Sequence, residues 1–288
     1  MTTPAAARSR VSRSLRPFWL ILAFYVIAFL TLGVLQTLAG WIGGAAAIDT
    51  REAPYQWLAL LSVVFATWIM LRRVEKVPWS TVGLDRAAAS PPVLIKGAAY
   101  GAVTIGVASM MLLATRMMRV DPTVPGSWWG QAGLSAIVLM PAAFFEELFI
   151  HGYAFAVLRR AGGWRLALIV TSVVFGILHA WNPGADAESI LAVIVAGFFL
   201  GAILLATKSL YAAGAAHFAW NWVMSGALHI AVSGIPSADP DYRVVETGPD
   251  WLTGGPWGPE GGLAAVAVML VAIFYLYARY LRRMEWRA

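Results

Sequence analysis

The sequence has no cysteine and few charged residues. Because none of its 288 residues is Cys, disulfides, zinc–thiolate sites and thiol nucleophiles are excluded. Only 12% of the residues are charged, against roughly 25% in soluble domains. A chain so poor in charge cannot cover a soluble surface, and we predict an integral membrane protein.

Hydrophobic residues make up 60% of the chain, and most of them lie in long runs. A membrane-spanning helix needs about 20 apolar residues. We therefore predict an all-α, polytopic transmembrane helix bundle with about eight spans, forming a single domain over residues 1–288. The predicted spans are 18–39, 55–71, 92–115, 130–158, 166–179, 190–207, 210–232 and 262–281.

The basic residues predict the orientation of these spans. Of the 21 Lys and Arg residues, only Arg51, Arg116, Arg119 and Arg243 fall on one side of the predicted bundle. Since cytoplasmic loops carry the excess of Lys and Arg, both termini are predicted to be cytoplasmic. The net charge of +6 then reflects membrane topology, and no nucleic-acid partner is expected. We expect the bacterial cytoplasmic membrane as the location.

Two features leave alternatives open. The pairs Gly97/Gly101 and Gly197/Gly201 have the spacing that lets helix backbones approach closely, either within one chain or in a dimer. The oligomeric state is therefore undecided. Residues 233–261 are rich in Pro, Gly, Asp and Trp, and they are predicted to form a loop rather than a lid.

A few strongly polar residues lie inside the predicted spans. Glu146 and Glu147 are adjacent within the apolar stretch PAAFFEELFIHGYAF, and His179, His217 and Asn221 follow in later spans. Ionisable side chains inside a membrane cost about 2.5–3.5 kcal/mol each and mark functional sites by default. Residues 130–232, which hold all five, are predicted to be the functional core.

These residue types fit the activation of water for peptide hydrolysis. A carboxylate in a pocket of low dielectric can act as a general base, and His179 can orient the same water. His217 and Asn221 are four residues apart and share one helix face. They can supply the donors that an oxyanion requires.

Three short motifs in order resemble the CAAX-protease and bacteriocin-processing intramembrane proteases. This family, also called CPBP or Abi, includes the Rce1-like prenyl-protein endopeptidases. Its pattern is EExxxR, FxxxH and HxxxN or HxxxD on separate helices. Here the matching stretches are EELFIH at 146–151, FGILH at 175–179 and HFAWN at 217–221. The resemblance covers about a third of the chain.

The resemblance implies a role for each matching residue. Glu146 would activate water beside His179, while His217 and Asn221 would bind the oxyanion. Glu147 would brace the site, and Phe175 opens the second motif. The sequence departs from the family at His151, where the pattern has Arg. An imidazole pairs with a carboxylate more weakly than a bidentate guanidinium does.

The resemblance leaves the cofactor and the reaction class open. We expect a metal-free site, although Glu146, His179 and His217 could hold zinc with one open position. The expected partners are the lipid bilayer and a peptide or membrane-protein substrate of unknown identity. The alternatives are a non-catalytic scaffold or immunity protein, favoured by His151, and a proton-coupled transporter, for which no inverted repeat is evident.

Overall fold

The computed structural model describes residues 4–43, 53–122, 125–238 and 240–282, with side chains in the first helix from residue 15 to residue 42. Helices dominate these residues, so the predicted all-α fold is confirmed. The helices are α1 Pro4–Gly43, α2 Ala53–Ile69, α3 Pro91–Ala114, α4 Trp128–Glu147, α5 Tyr153–Leu178, α6 Ala187–Thr207, α7 Leu210–Trp222, the short α8 Asp250–Thr253 and α9 Leu263–Leu276. Two strands, β1 Met118–Asp121 and β2 Arg243–Glu246, form one antiparallel ladder.

Several helices are long and apolar enough to cross a bilayer, so the chain is a multi-pass membrane protein. In the described residues there are six such segments, namely Leu15–Ile42, Ala53–Val74, Pro91–Ala114, Trp128–Trp181, Ala187–Thr207 and Leu263–Leu281. The segment Trp128–Trp181 has 54 residues, about 80 Å of helix, against a hydrocarbon core of roughly 30 Å.

Gly162 and Gly163 break that segment with non-helical φ and ψ angles. The break lies between two of the predicted spans. The predicted span 210–232, which starts with α7, is not among the six segments. The count of about eight spans therefore stays a prediction.

Glycines bring α3 against α7. A Cβ atom at Gly97 would lie 2.2 Å from the carbonyl oxygen of Ala212, and one at Gly101 would lie 1.9 Å from that of Ala216. Real Cβ atoms do not approach a backbone so closely, so the contact requires glycine at both positions. This packing fixes the helix that carries His217.

The second glycine pair brings α6 against α5. At Gly197, a Cβ atom would lie 2.8 Å from the Cα atom of Ser172, and at Gly201 it would lie 2.4 Å from Leu168. Both pairs predicted from the sequence therefore pack helices within one chain.

A buried acid joins the helices at one end of the bundle. The carboxylate of Glu75 accepts hydrogen bonds from Tyr153 at 2.6 Å and Arg160 at 2.8 Å, and Arg16 lies 3.9 Å away. Three of the four basic residues predicted to lie on the non-cytoplasmic side are found at the β1–β2 ladder instead of near Glu75. Arg119 and Arg243 lie on the β1–β2 ladder, and Arg116 precedes it, whereas Arg51 falls outside the described residues, as do the side chains of Arg8, Arg10 and Arg13.

The segment after α7 folds back over the bundle. It contributes β2, α8 and two short 3-10 turns at Gly255–Trp257 and Pro259–Gly261 before α9 begins. Antiparallel pairing with β1 runs from Met118 opposite Glu246 to Asp121 opposite Arg243. Glu260 ties this segment to the helices through its hydrogen bond with Trp220 of α7.

Candidate active site

The polar residues of the three motifs, which lie on or next to α4, α5 and α7, are close together in the structure. Glu146 lies in the last turn of α4, His179 directly follows α5, and His217 lies in the middle of α7. The Oε2 atom of Glu146 is 3.8 Å from Nε2 of His179 and 3.8 Å from Nε2 of His217. One carboxylate oxygen thus faces two imidazole nitrogens.

Glu147 is the fully buried member of the acidic pair. Its Oε1 atom lies 3.1 Å from Nδ1 of His217, and its Oε2 atom lies 3.0 Å from Nδ1 of His151. A buried ionised carboxylate requires such donors. The sequence predicted a bracing role with His151, but the second contact, to His217, was missed.

Hydrogen bonds assign the tautomers of the two facing histidines. Nδ1 of His179 lies 2.8 Å from the carbonyl oxygen of Phe175, and a carbonyl can only accept, so this nitrogen carries the proton. Nδ1 of His217 donates in the same way to Glu147. In the neutral rings, both Nε2 lone pairs are therefore directed toward Glu146.

The facing oxygen of Glu146 is buried but unsatisfied. Among the described residues it has no hydrogen-bond partner, although the side chain as a whole is 34% exposed. A buried acceptor without a donor costs about 1–3 kcal/mol. At 3.8 Å, the separation from each imidazole is too long for a direct hydrogen bond and suits a bridging water.

A small cavity of about 30 Å³ lies beside the two histidines. Its wall includes His179, His217 and Asn221, the last one helical turn after His217. This volume admits about two water molecules and excludes a peptide. The cavity therefore brings the predicted oxyanion residue Asn221 to the same space as both histidines.

Phe175 packs against three of the four histidines. Its ring centroid lies 4.7 Å from that of His179, 5.8 Å from that of His217 and 6.1 Å from that of His151. Edge and tilted contacts of this kind favour one ring orientation. Phe175 thus fixes the imidazoles from the apolar side, which suits the supporting role predicted for it.

His151 lies in an irregular turn that links α4 to α5. Residues Leu148–Gly152 form a single π-helical turn, a feature that is frequent at functional sites. The turn keeps His151 against Glu147, and the imidazole is 1% exposed. The ring therefore lies where it pairs with the acid, as the family's Arg was expected to do.

Glu260 is a cavity residue that the sequence did not indicate. Its carboxylate accepts hydrogen bonds from the Trp220 indole at 2.9 Å, from the backbone amide of Ser233 at 2.6 Å and from the Ser233 hydroxyl at 2.7 Å. Trp220 directly precedes Asn221. An isolated acid in a Gly- and Pro-rich segment has no spacing that links it to α7, so no motif could have found it.

The donor set of Glu146, His179 and His217 matches a two-histidine, one-carboxylate zinc site in kind. The arrangement does not match such a site, because within the described residues no group of three or more His, Cys, Asp or Glu side chains is placed to hold a metal ion. The expectation of a metal-free site remains a prediction.

Comparison with protein families finds a match to part of the chain. The family model described as Type II CAAX prenyl endopeptidase Rce1-like matches residues 128–223. Comparison with curated proteins and with solved structures finds none. The matched segment runs from the start of α4 to just past the end of α7 and contains all three motifs. The chain therefore contains an Rce1-like segment at residues 128–223, which supports the family resemblance predicted from the motifs.

Proposed function

We propose that this protein is an intramembrane endopeptidase that hydrolyses a peptide bond with water activated by Glu146. The observation that carries the proposal is the buried, unpartnered Oε2 atom of Glu146, 3.8 Å from two imidazole nitrogens. A reacting water between these three atoms would donate one proton to Glu146 and a second hydrogen bond to His179. The pair would act as base and orienting group.

The reaction then proceeds without a covalent bond between the substrate and the protein. The water oxygen attacks the carbonyl carbon while Glu146 takes the water proton, and the carbonyl becomes an oxyanion. Collapse of this intermediate breaks the C–N bond, and protonated Glu146 returns its proton to the leaving amine. The products are a carboxylic acid, which keeps the second proton of the water, and an amine.

Asn221 and His217 are the proposed oxyanion donors, but they differ in what they require. The Asn221 amide carries donors at all times. His217 uses Nδ1 to donate to Glu147, so its Nε2 can donate only when the ring is doubly protonated. The neighbouring carboxylate of Glu147, 3.1 Å away, stabilises that positive charge. Glu147 is therefore part of the proposed oxyanion site.

The site is too small for a substrate to enter unless part of the protein moves. A cavity of about 30 Å³ cannot admit a peptide backbone, so part of the wall must move before cleavage. We propose a peptide or membrane-protein segment as substrate. We also propose that the protein itself has about eight spans, cytoplasmic termini and a location in the bacterial plasma membrane. Glu75 and its basic partners precede or lie outside α3 in the chain order while β1 follows it, which supports a two-sided distribution of basic residues.

The test is cleavage of a fluorogenic peptide library by purified protein in detergent. Glu146→Gln should abolish cleavage, because the carboxamide cannot take a proton. Glu188→Gln is the matched control, since Glu188 is an exposed acid in the first turn of α6, and it should retain activity. Cleavage by Glu146→Gln at the wild-type rate would contradict the proposal.

The same assay separates the alternatives. Activity that survives a chelator would support water activation without a metal, and loss restored by zinc would replace it with a metal-dependent reaction. A cellular phenotype that is insensitive to Glu146→Gln would support the scaffold or immunity function. Proton-driven flux in liposomes would support the transporter.

A further inference from the structure

A second cavity lies on the other side of His151 from Glu147. Its volume is about 300 Å³, at the lower end of ligand-binding cavities. Its wall is formed by the turn Trp79–Val82, the π-helical turn before α5, the first part of α5 and the end of α6. None of the predicted catalytic residues lines it.

The charge on this wall has one sign. Arg159 and Lys208 both line the cavity, and its described lining residues include no carboxylate. Both side chains are exposed at its rim. The hydroxyls of Ser80 and Thr81 add hydrogen-bonding groups, so the cavity is suited to an anion.

The innermost polar group of the cavity lacks a partner. The side chain of His151 is fully buried, and its Nδ1 atom is occupied by Glu147. Its Nε2 atom has no hydrogen-bond partner in the part of the chain that the structure describes. Nε2 therefore requires a partner that the described residues do not provide.

We propose that this cavity binds a phosphate group, with Arg159 and Lys208 neutralising its charge and the Nε2–H of His151 donating to one of its oxygens. Guanidinium and ammonium groups are the usual phosphate ligands in proteins. Basic pockets between transmembrane helices recognise lipid head groups. The phosphate can come from a lipid head group or from free phosphate.

Phosphate binding would change the state of His151. In the neutral ring only one nitrogen carries a proton, and Nδ1 uses it to donate to Glu147. A phosphate oxygen at Nε2 would favour a second proton there, giving an imidazolium between two anions. His151 would then supply the positive charge that the family pattern places at this position. Any effect on cleavage rests on the proposed function, whereas binding does not.

Binding is measured on the purified full-length protein with two probes. One is sodium phosphate in detergent, compared with sodium chloride at equal ionic strength. The other is nanodiscs that contain phosphatidic acid, compared with phosphatidylcholine nanodiscs that also contain the neutral lipid diacylglycerol. The readouts are the unfolding midpoint and the imidazole ¹⁵N spectrum. The chain has four histidines, so single His variants assign the spectrum.

We expect a saturable rise in the unfolding midpoint with at least one probe, together with protonation of His151 Nε2. Arg159→Gln should weaken binding at least tenfold. Lys208→Asn, which tolerates the left-handed backbone at this position (φ 55°), should do the same. Arg119→Gln removes an exposed cation on β1 that does not line the cavity and should leave binding unchanged.

The two probes distinguish the sources. A response to phosphate identifies the free ion as sufficient, and a response confined to phosphatidic acid identifies a lipid head group. The proposal is overturned if neither probe gives a saturable effect. It is also overturned if the effect is the same in Arg159→Gln and Lys208→Asn as in wild type. Because neither readout uses cleavage, failure of the proposed peptidase activity would leave this result unaffected.

Discussion

The contact between Glu147 and His217 predicts that Glu147→Gln, which replaces one carboxylate oxygen by an NH₂ group, moves a proton from one ring nitrogen of a histidine to the other. In Glu147→Gln the carboxamide has one accepting oxygen, whereas the wild-type carboxylate accepts from both His151 and His217. One imidazole must therefore face the NH₂ group, and to accept from it that ring must move its proton from Nδ1 to Nε2.

The surroundings decide which ring changes. If His217 moves its proton to Nε2, the new N–H faces the unpartnered oxygen of Glu146 at 3.8 Å, and a small movement makes a charge-assisted hydrogen bond. If His151 changes instead, its Nε2–H has no acceptor among the described residues. A charge-assisted hydrogen bond contributes about 1.5–3 kcal/mol, so the changed tautomer of His217 should dominate by roughly 10–150-fold.

The assay is the imidazole ¹⁵N spectrum, in which protonated and unprotonated ring nitrogens resonate far apart. In wild type, His179 and His217 should both be protonated at Nδ1. In Glu147→Gln, His217 should be protonated at Nε2 while His179 is unchanged. Cleavage should fall by the same roughly 10–150-fold, because Glu146 is then engaged by an N–H instead of water.

A matched control is available in Glu260→Gln. Glu260 is also buried and hydrogen-bonded, but its partners are Trp220 and Ser233 rather than histidines, so the imidazole spectrum should be unchanged. The reasoning is refuted if His217 keeps its proton on Nδ1 in Glu147→Gln, or if that variant cleaves as fast as wild type.

Three further predictions concern stability, each measured by unfolding of the purified protein in detergent. Glu260→Ala should destabilise the fold by about 2–4 kcal/mol, since it leaves several buried donors unpaired; a change below 0.5 kcal/mol would contradict this. Gly101→Ala should cost about 1–3 kcal/mol or more, because a Cβ atom would meet a backbone oxygen of α7 at 1.9 Å, whereas Gly106→Ala on the same helix meets nothing within 4 Å and should be neutral or stabilising. Burial, and to a lesser extent the neighbouring Asp250, raise the pKa of Glu246 from 4.5 to about 7. The folded state therefore binds more protons than the unfolded state in this range, so the free energy of unfolding should fall as the pH rises from 4.5 to 7. Glu246→Gln should make this dependence on pH less steep.

The motifs were predictable because their spacing is local. His217 and Asn221 are separated by one helical turn, as are Phe175 and His179, so the sequence alone places each pair on one face. The apolar runs likewise predict membrane helices. The contact between Glu147 and His217 joins residues 70 positions apart and depends on how α4 packs against α7, which no local pattern specifies.

The number of membrane crossings could not be fixed from the sequence for a different reason. Periodicity and hydropathy separate 130–158 from 166–179, but the structure carries one helical segment through both. Between these two stretches it is interrupted by the dihedral angles at Gly162 and Gly163. Two adjacent glycines allow such a break without requiring it. Glu260 was missed for a related reason, because its partners come from two other segments of the chain.

The position of Glu147 has a consequence for how the protein is made. A carboxylate that enters the bilayer without a partner is costly, and its partners leave the ribosome at different times. His151 lies four residues later and emerges almost together with the acid. His217 lies 70 residues later, which at 5–20 residues per second is a delay of about 4–14 s. We therefore expect His151 to pair with the acid during insertion, and the proposed catalytic centre to be complete only when α7 arrives.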